Sequence, residues 1–172
     1  MNIAVPLQTV TVGVVVERAK SASPWGDFNW RPVSALPGAP ATPPWTKLSD
    51  DGERATFFAG VADIELHRTE TENYRNNMMS GTPLLWVVLR PSNAEMPYAL
   101  LLVTADPAEG EAMTEAGNDL VDTVPMPPAI KQVVADFVAE HHVEHAFSKR
   151  RRDRANPEAL GRRPPASDEE QP

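Results

Sequence analysis

The chain contains no cysteine among its 172 residues. That one absence removes disulfides, thiolate nucleophiles, iron–sulfur ligation and every cysteine-type zinc site together. Long apolar runs are missing too: no window approaches the roughly 18 uninterrupted apolar residues of a membrane-spanning helix. The first residues, MNIAVPLQTV, lack the basic start and small-residue cleavage site of a signal peptide. The expectation is a soluble, cytoplasmic protein with no membrane partner. The nine glycines are scattered, and neither G-x-x-x-x-G-K-[ST] nor G-x-G-x-x-G occurs, so no phosphate-cradling loop is on offer. There is no G-x-S-x-G elbow. Covalent catalysis has no visible actor and no cofactor is implied.

Charge is unevenly divided. Residues 1–145 hold nine Lys/Arg against nineteen Asp/Glu, a net −10, whereas residues 146–172 hold seven against five, a net +2. An acidic body repels nucleic-acid phosphate, which leaves only Lys149–Arg154, including Arg150 and Arg151, as an electrostatic handle. The acidic terminus Asp168-Glu169-Glu170 weakens that handle, so nucleic-acid binding is disfavoured and a docking handle for a protein is at least as good a reading.

What is present is the material of a single α+β domain spanning 1–148: a mostly antiparallel sheet with two or three helices packed on it, followed by a disordered charged tail, 149–172. A chain of this length has room for one core of ordinary size. Val10–Glu17 is valine-rich and reads as a buried strand. From Ser21 to Pro44 six prolines and the rings Trp25 and Trp30 predict loop, with a short strand near Asn29–Leu36. Ala55–Arg68 divides at Gly60 into two β-type runs, as a hairpin or a kinked strand. Thr69–Met79 suits a short helix. Leu84–Leu89 and Tyr98–Thr104 read as a central antiparallel hairpin buried on both faces. Asp106-Pro107 starts a helix over Ala108–Ala116, and Val121–Val124 reads as a short strand. Ile130, Val133, Val134, Phe137, Val138 and His141 then recur at helical spacing. From Lys149 onward four prolines, mixed charge and no apolar periodicity predict disorder.

His141-His142-Val143-Glu144-His145 matches H-x-x-E-H, a pattern that places two imidazoles and a carboxylate on one helical face. Taken alone it describes a small zinc-dependent hydrolase using His141, Glu144 and His145. No third ligand follows in the 27 residues behind it, and terminal histidines also favour a helix C-terminus as cations. His67 has the setting of a hydrogen-bonded surface histidine. Asp106, Asp119 and Asp122 are explained by capping and turns. Trp25, Trp30 and Trp45 amid prolines are either a recognition surface or a lid over the sheet, and both readings are compatible at a rim.

The words VVVER, PWGDFNWRPVSALPG, PPW, ELHRTETENYRNN, PLLWVVLR, LLLVTADP, VDTVPMPPAI and F-x-KRRR follow one another over roughly residues 10–154. In that order, and with W-x-x-x-x-W-R-P, E-x-Y-R-x-N and V-P-M-P-P among them, the chain resembles the bacterial domain-of-unknown-function family 3305. The resemblance implies a setting beside molybdenum-dependent formate dehydrogenase and its maturation factors. Some relatives bear labels from molybdenum-cofactor nucleotide transfer. That activity needs a glycine-rich loop at the first strand, and here Val12–Glu17 runs into Arg18-Ala19-Lys20 instead. The combined expectation is a non-catalytic accessory or assembly protein, not an enzyme, that binds a formate dehydrogenase subunit or maturation factor. Its contact residues would be Trp25, Trp30, Arg31, Trp45, Met126, Arg150 and Arg151.

Overall fold

The structure, a computed structural model, describes residues 5–115 and 117–143. The expected tail, with Arg150 and Arg151, lies outside them. The strands are β1 (Gln8–Lys20), β2 (Phe28–Pro37), β3 (Thr46–Asp50), β4 (Arg54–Leu66), β5 (Leu84–Pro91), β6 (Tyr98–Thr104) and β7 (Leu120–Pro125). A 3-10 turn, Arg68–Glu70, precedes α1 (Thr71–Met79); α2 (Pro107–Glu115) and α3 (Pro128–His141) complete the set. All pairings are antiparallel, in two sheets ordered β2-β1-β4-β3 and β6-β5-β7. The class is α+β, as the residue patterns predict.

Strand β1 is the spine of the larger sheet because its alternation is strict. Val12, Val14 and Val16 are fully buried on one face, while Gly13, Val15 and Glu17 take the other. The two sheets meet along two seams, β4 beside β6 and β2 beside β7. Between them Val12, Val14, Val16, Ile64 and Leu66 interlock with Leu85, Val87, Leu89, Val103 and Val124. Burying such side chains contributes about 1.5–3 kcal/mol each before chain entropy is subtracted. Tyr74 from α1 and Ile130, Val134 and Phe137 from α3 extend the same core.

Proline and glycine shape the outer face of the larger sheet. An ideal Cβ on Gly13 would come within 2.8 Å of the Phe58 ring and 3.5 Å of Pro40, and one on Gly60 within 3.7 Å of Pro44. The proline-rich connection from β2 to β3 therefore lies over these glycines and helps to bury Phe58, which is 2% exposed. Gly60 marks a bulge, not a turn: Val14 pairs with Gly60 and Val15 with Phe58, leaving Ala59 as the extra residue. Of the two readings of Ala55–Arg68, the kinked strand is the one observed. Pro32 is accommodated because β2 is an outer strand of its sheet and bulges beside it, with Val33 unpaired.

The hairpin β5–β6 forms, but only β5 is buried on both faces. Strand β6 is the outer strand of its sheet and alternates between exposed or half-buried positions until Val103. Its mixed leucine run misleads because one face is left to solvent while the seam with β4 covers the other.

Side-chain hydrogen bonds fix the helices. Asp106 Oδ1 accepts the backbone N–H groups of Ala108 (2.9 Å) and Glu109 (3.4 Å), capping α2 as expected. Asn77, 6% exposed, donates to the carbonyls of Leu84 (2.8 Å) and Ala105 (3.0 Å) and accepts the N–H of Leu84 (3.0 Å). Tyr74 Oη accepts the N–H of His67 (2.9 Å). The E-x-Y-R-x-N word thus ties α1 to β5, to the end of β6 and to the end of β4 from its Tyr and last Asn positions.

Candidate functional site

The core-facing alternation of β1 does not stop at Val16. Its next member is Arg18, opposite Trp30 on β2 and Ala55 on β4. Two residues along on each neighbour come Phe28 and Phe57, diagonal positions within reach of a long side chain. The Arg18 guanidinium carbon lies 4.5 Å from the Phe28 ring centre, 5.3 Å from Phe57 and 5.9 Å from Trp30. Each contact is worth about 0.5–1 kcal/mol at a partly exposed position. Small, buried Ala55 is the one direct neighbour without a ring.

Beneath the arginine the rings close that end of the core. Trp30 meets Trp45 edge to face at 6.2 Å and lies 5.7 Å from Phe57 and 6.2 Å from Tyr98. Trp45 is the only described non-glycine residue with a positive φ, 63°, a conformation that is strained for a bulky side chain. Its N–H donates to the Phe58 carbonyl and its ring rests against Trp30 and Phe57. Both indoles are half-buried and serve as the lid.

Trp25 differs from them. It occupies the loop joining β1 to β2, whose ends are drawn together by the Ser21 N–H donating to Asp27 O at 2.9 Å, and it is 86% exposed. Phe28, 44% exposed, starts the next strand three residues on. The large ring is thus presented to water from a hydrogen-bonded turn.

The remaining expected contact residues are placed otherwise. Arg31 points to the outer face, where its Nη2 lies 3.2 Å from Glu17 Oε1; Arg54 meets the same oxygen at 3.3 Å. Met126 corrects the reading of V-P-M-P-P as a surface edge. It is 3% exposed and belongs to the core, because its N–H pairs with the Pro83 carbonyl and turns the side chain inward beneath α3. Of the H-x-x-E-H set only His141 is described, together with the intervening His142 and Val143. The His141 ring stacks 4.6 Å from that of Phe137, and its Nε2 is 3.6 Å from Glu140 Oε2. Among the described residues no three His, Asp or Glu side chains converge as a metal site.

A second polar cluster was not legible in the residue order. Glu109 accepts the Thr104 hydroxyl at 3.0 Å, and its carboxyl is pushed above the usual range, chiefly by desolvation and further by Asp106. As a whole residue Glu109 is exposed, so the inward carboxyl end carries this effect and water moderates it. Nearby, burial raises the Tyr74 phenol to about 12. Asp119 is held bidentately by Arg90 at 3.2 Å, and Asp122 accepts from the N–H of Thr123. The acidic residues are thus spread among separate structural roles.

A family model described as protein of unknown function (DUF3305) matches residues 11–151. The chain belongs to that family. The matched span takes in every described strand and helix except the first three residues of β1, and reaches past the last described residue. No curated protein and no solved structure matches the chain. Within the family span, the residue that sequence reasoning passed over is Arg18. Its signal was the unbroken period of two, Val12, Val14, Val16, Arg18, which carries a cation onto the core-facing side of a strand.

Proposed function

We propose that this protein works by binding another protein, and that the end of the larger sheet carrying Trp25, Phe28 and Arg18 is the contact surface. One observation carries the reading. Trp25 projects into water from a closed turn, while Trp30 and Trp45, the nearest indoles in the sequence, are engaged in the lid. Exposing an indole costs hydration free energy that a binding partner returns. The role is that of a non-catalytic accessory or assembly protein. Its partner is a molybdenum-dependent formate dehydrogenase subunit or a maturation factor, which is the setting the family resemblance implies.

The test is site-specific photo-cross-linking. A benzoylphenylalanine at position 25, in cells making molybdenum-dependent formate dehydrogenase, is expected to capture a dehydrogenase or maturation chain identifiable by mass spectrometry. The same probe at Glu111, on the exposed side of α2, is expected to capture none. Identical products from both positions, or none from position 25, would defeat the proposal.

A further inference from the structure

The proposed contact surface carries a cation packed over aromatic rings, with no protein hydrogen bond among the described residues. The Arg18 guanidinium carbon lies over the rings of Phe28, Phe57 and Trp30, contacts that spend no donor. Among the described residues none of its five N–H groups meets a protein acceptor. The neighbouring carboxylate, Asp50, meets Arg18 through charge while its hydrogen bonds go elsewhere, Oδ2 accepting from Lys47 at 2.9 Å and Oδ1 from the N–H of Gly52 at 3.0 Å. Glu17 lies on the opposite face with Arg31 and Arg54.

A planar guanidinium oriented by rings is suited to a carboxylate, which it grips through two parallel hydrogen bonds. The apolar half of the surface is close by. Phe28 lies three positions after Trp25, a chain reach of at most about 11 Å. A body with a net charge of −10 repels a strongly acidic segment, so only an isolated carboxylate is tolerated.

We infer that this surface recognises a partner segment in which one aspartate or glutamate side chain adjoins an aromatic residue, the carboxylate gripped by Arg18 and the ring laid against Trp25 and Phe28. The inference rests on the contact surface proposed above and names the chemistry that surface selects.

The test is a pair of blocked dipeptides, acetyl-Asp-Phe-amide and acetyl-Asn-Phe-amide, titrated into the full-length protein while the Arg18 Nε–H and Trp25 indole N–H resonances are followed by NMR. The expected result is that the Asp peptide shifts both resonances and the Asn peptide requires about tenfold more to do so, the discrimination one charge-assisted bidentate pair supplies. In Arg18→Lys, which keeps the charge and loses the fork, that ratio is expected to fall toward one. Equal shifts by both peptides at Trp25 with Arg18 silent would overturn the carboxylate assignment and leave the contact surface standing. Silence at both residues while the position-25 cross-link still forms would overturn the peptide chemistry alone; loss of the cross-link as well would remove the surface itself.

Discussion

The indole of Trp86 occupies the space that a side chain on Gly110 would fill. An ideal Cβ on Gly110 would lie 2.1 Å from Trp86 Cγ, so α2 rests on β5 backbone to ring. Gly110→Ala sets two effects against each other: alanine favours a helix interior by about 1 kcal/mol, and overpacking costs about 1–3 kcal/mol or more. At 2.1 Å the clash wins. The expected outcome is net destabilisation in urea unfolding, relieved in Gly110→Ala/Trp86→Leu; a Gly110→Ala protein as stable as the parent would show that α2 does not pack this closely.

Asn77 tests the α1 anchor. Asn77→Leu keeps the volume but orphans the Leu84 and Ala105 carbonyls and the Leu84 N–H, and the expected loss is about 3 kcal/mol. Asn77→Asp turns two donations into repulsion between a carboxylate and carbonyl oxygens. Its loss is expected to be at least as large at neutral pH and to shrink in acid as that carboxylate protonates, read from unfolding midpoints at pH 4 and pH 7.

Glu109 gives the fold a pH dependence of known sign. Its folded-state pKa is raised above the ordinary 4.5, so the stability it contributes is present below that value and is lost as the pH rises through the raised one. Glu109→Gln keeps an acceptor for Thr104 without the charge. The variant is expected to exceed the parent in stability at pH 7, with the gap narrowing steadily as the pH falls toward 4.5.

Tyr74 is the alkaline counterpart. Its phenol, raised to about 12, supports the fold fully below the ordinary value of 10, and that support is lost as the pH passes 12. With Tyr98→Phe removing the other tyrosine, absorbance at 295 nm reports Tyr74 alone, and a midpoint well above 10 is expected. Tyr74→Phe leaves the His67 N–H without its acceptor, at a cost of about 1–3 kcal/mol.

The proposed contact surface predicts that the two kinds of tryptophan separate binding from folding. Trp25→Ala is expected to change stability by less than about 0.5 kcal/mol while the complex with its partner is lost. Trp30→Ala removes the ring that touches Trp45, Phe57 and Tyr98 and is expected to cost about 2–4 kcal/mol. Calorimetry beside a partner-binding assay distinguishes the two.

Legibility followed burial. The valines of β1 and the apolar spacing of α3 announced themselves because one face of each is packed, and the Asp106 cap was readable because it is local. Strand β3, with the sequence TKLSD and every residue exposed, gave no apolar alternation; it exists because β4 offers it a partner. Gly60 looked like a break because glycine punctuates turns as readily as bulges, and only the pairing of Val14 and Val15 distinguishes the two. At the proposed contact surface, Trp25 was singled out by type, whereas Arg18 required knowing that Phe28 and Phe57 lie on diagonals from it. Met126 was misread because proline on both sides is as compatible with an inward turn as with an exposed edge.

Three of the four indoles, Trp30, Trp45 and Trp86, are partly shielded by the fold, and one is bare. The protein therefore carries its own optical reporter: iodide or acrylamide added to the free chain quenches chiefly the Trp25 emission, and whatever comes to cover that ring announces itself as a blue shift with no dye attached.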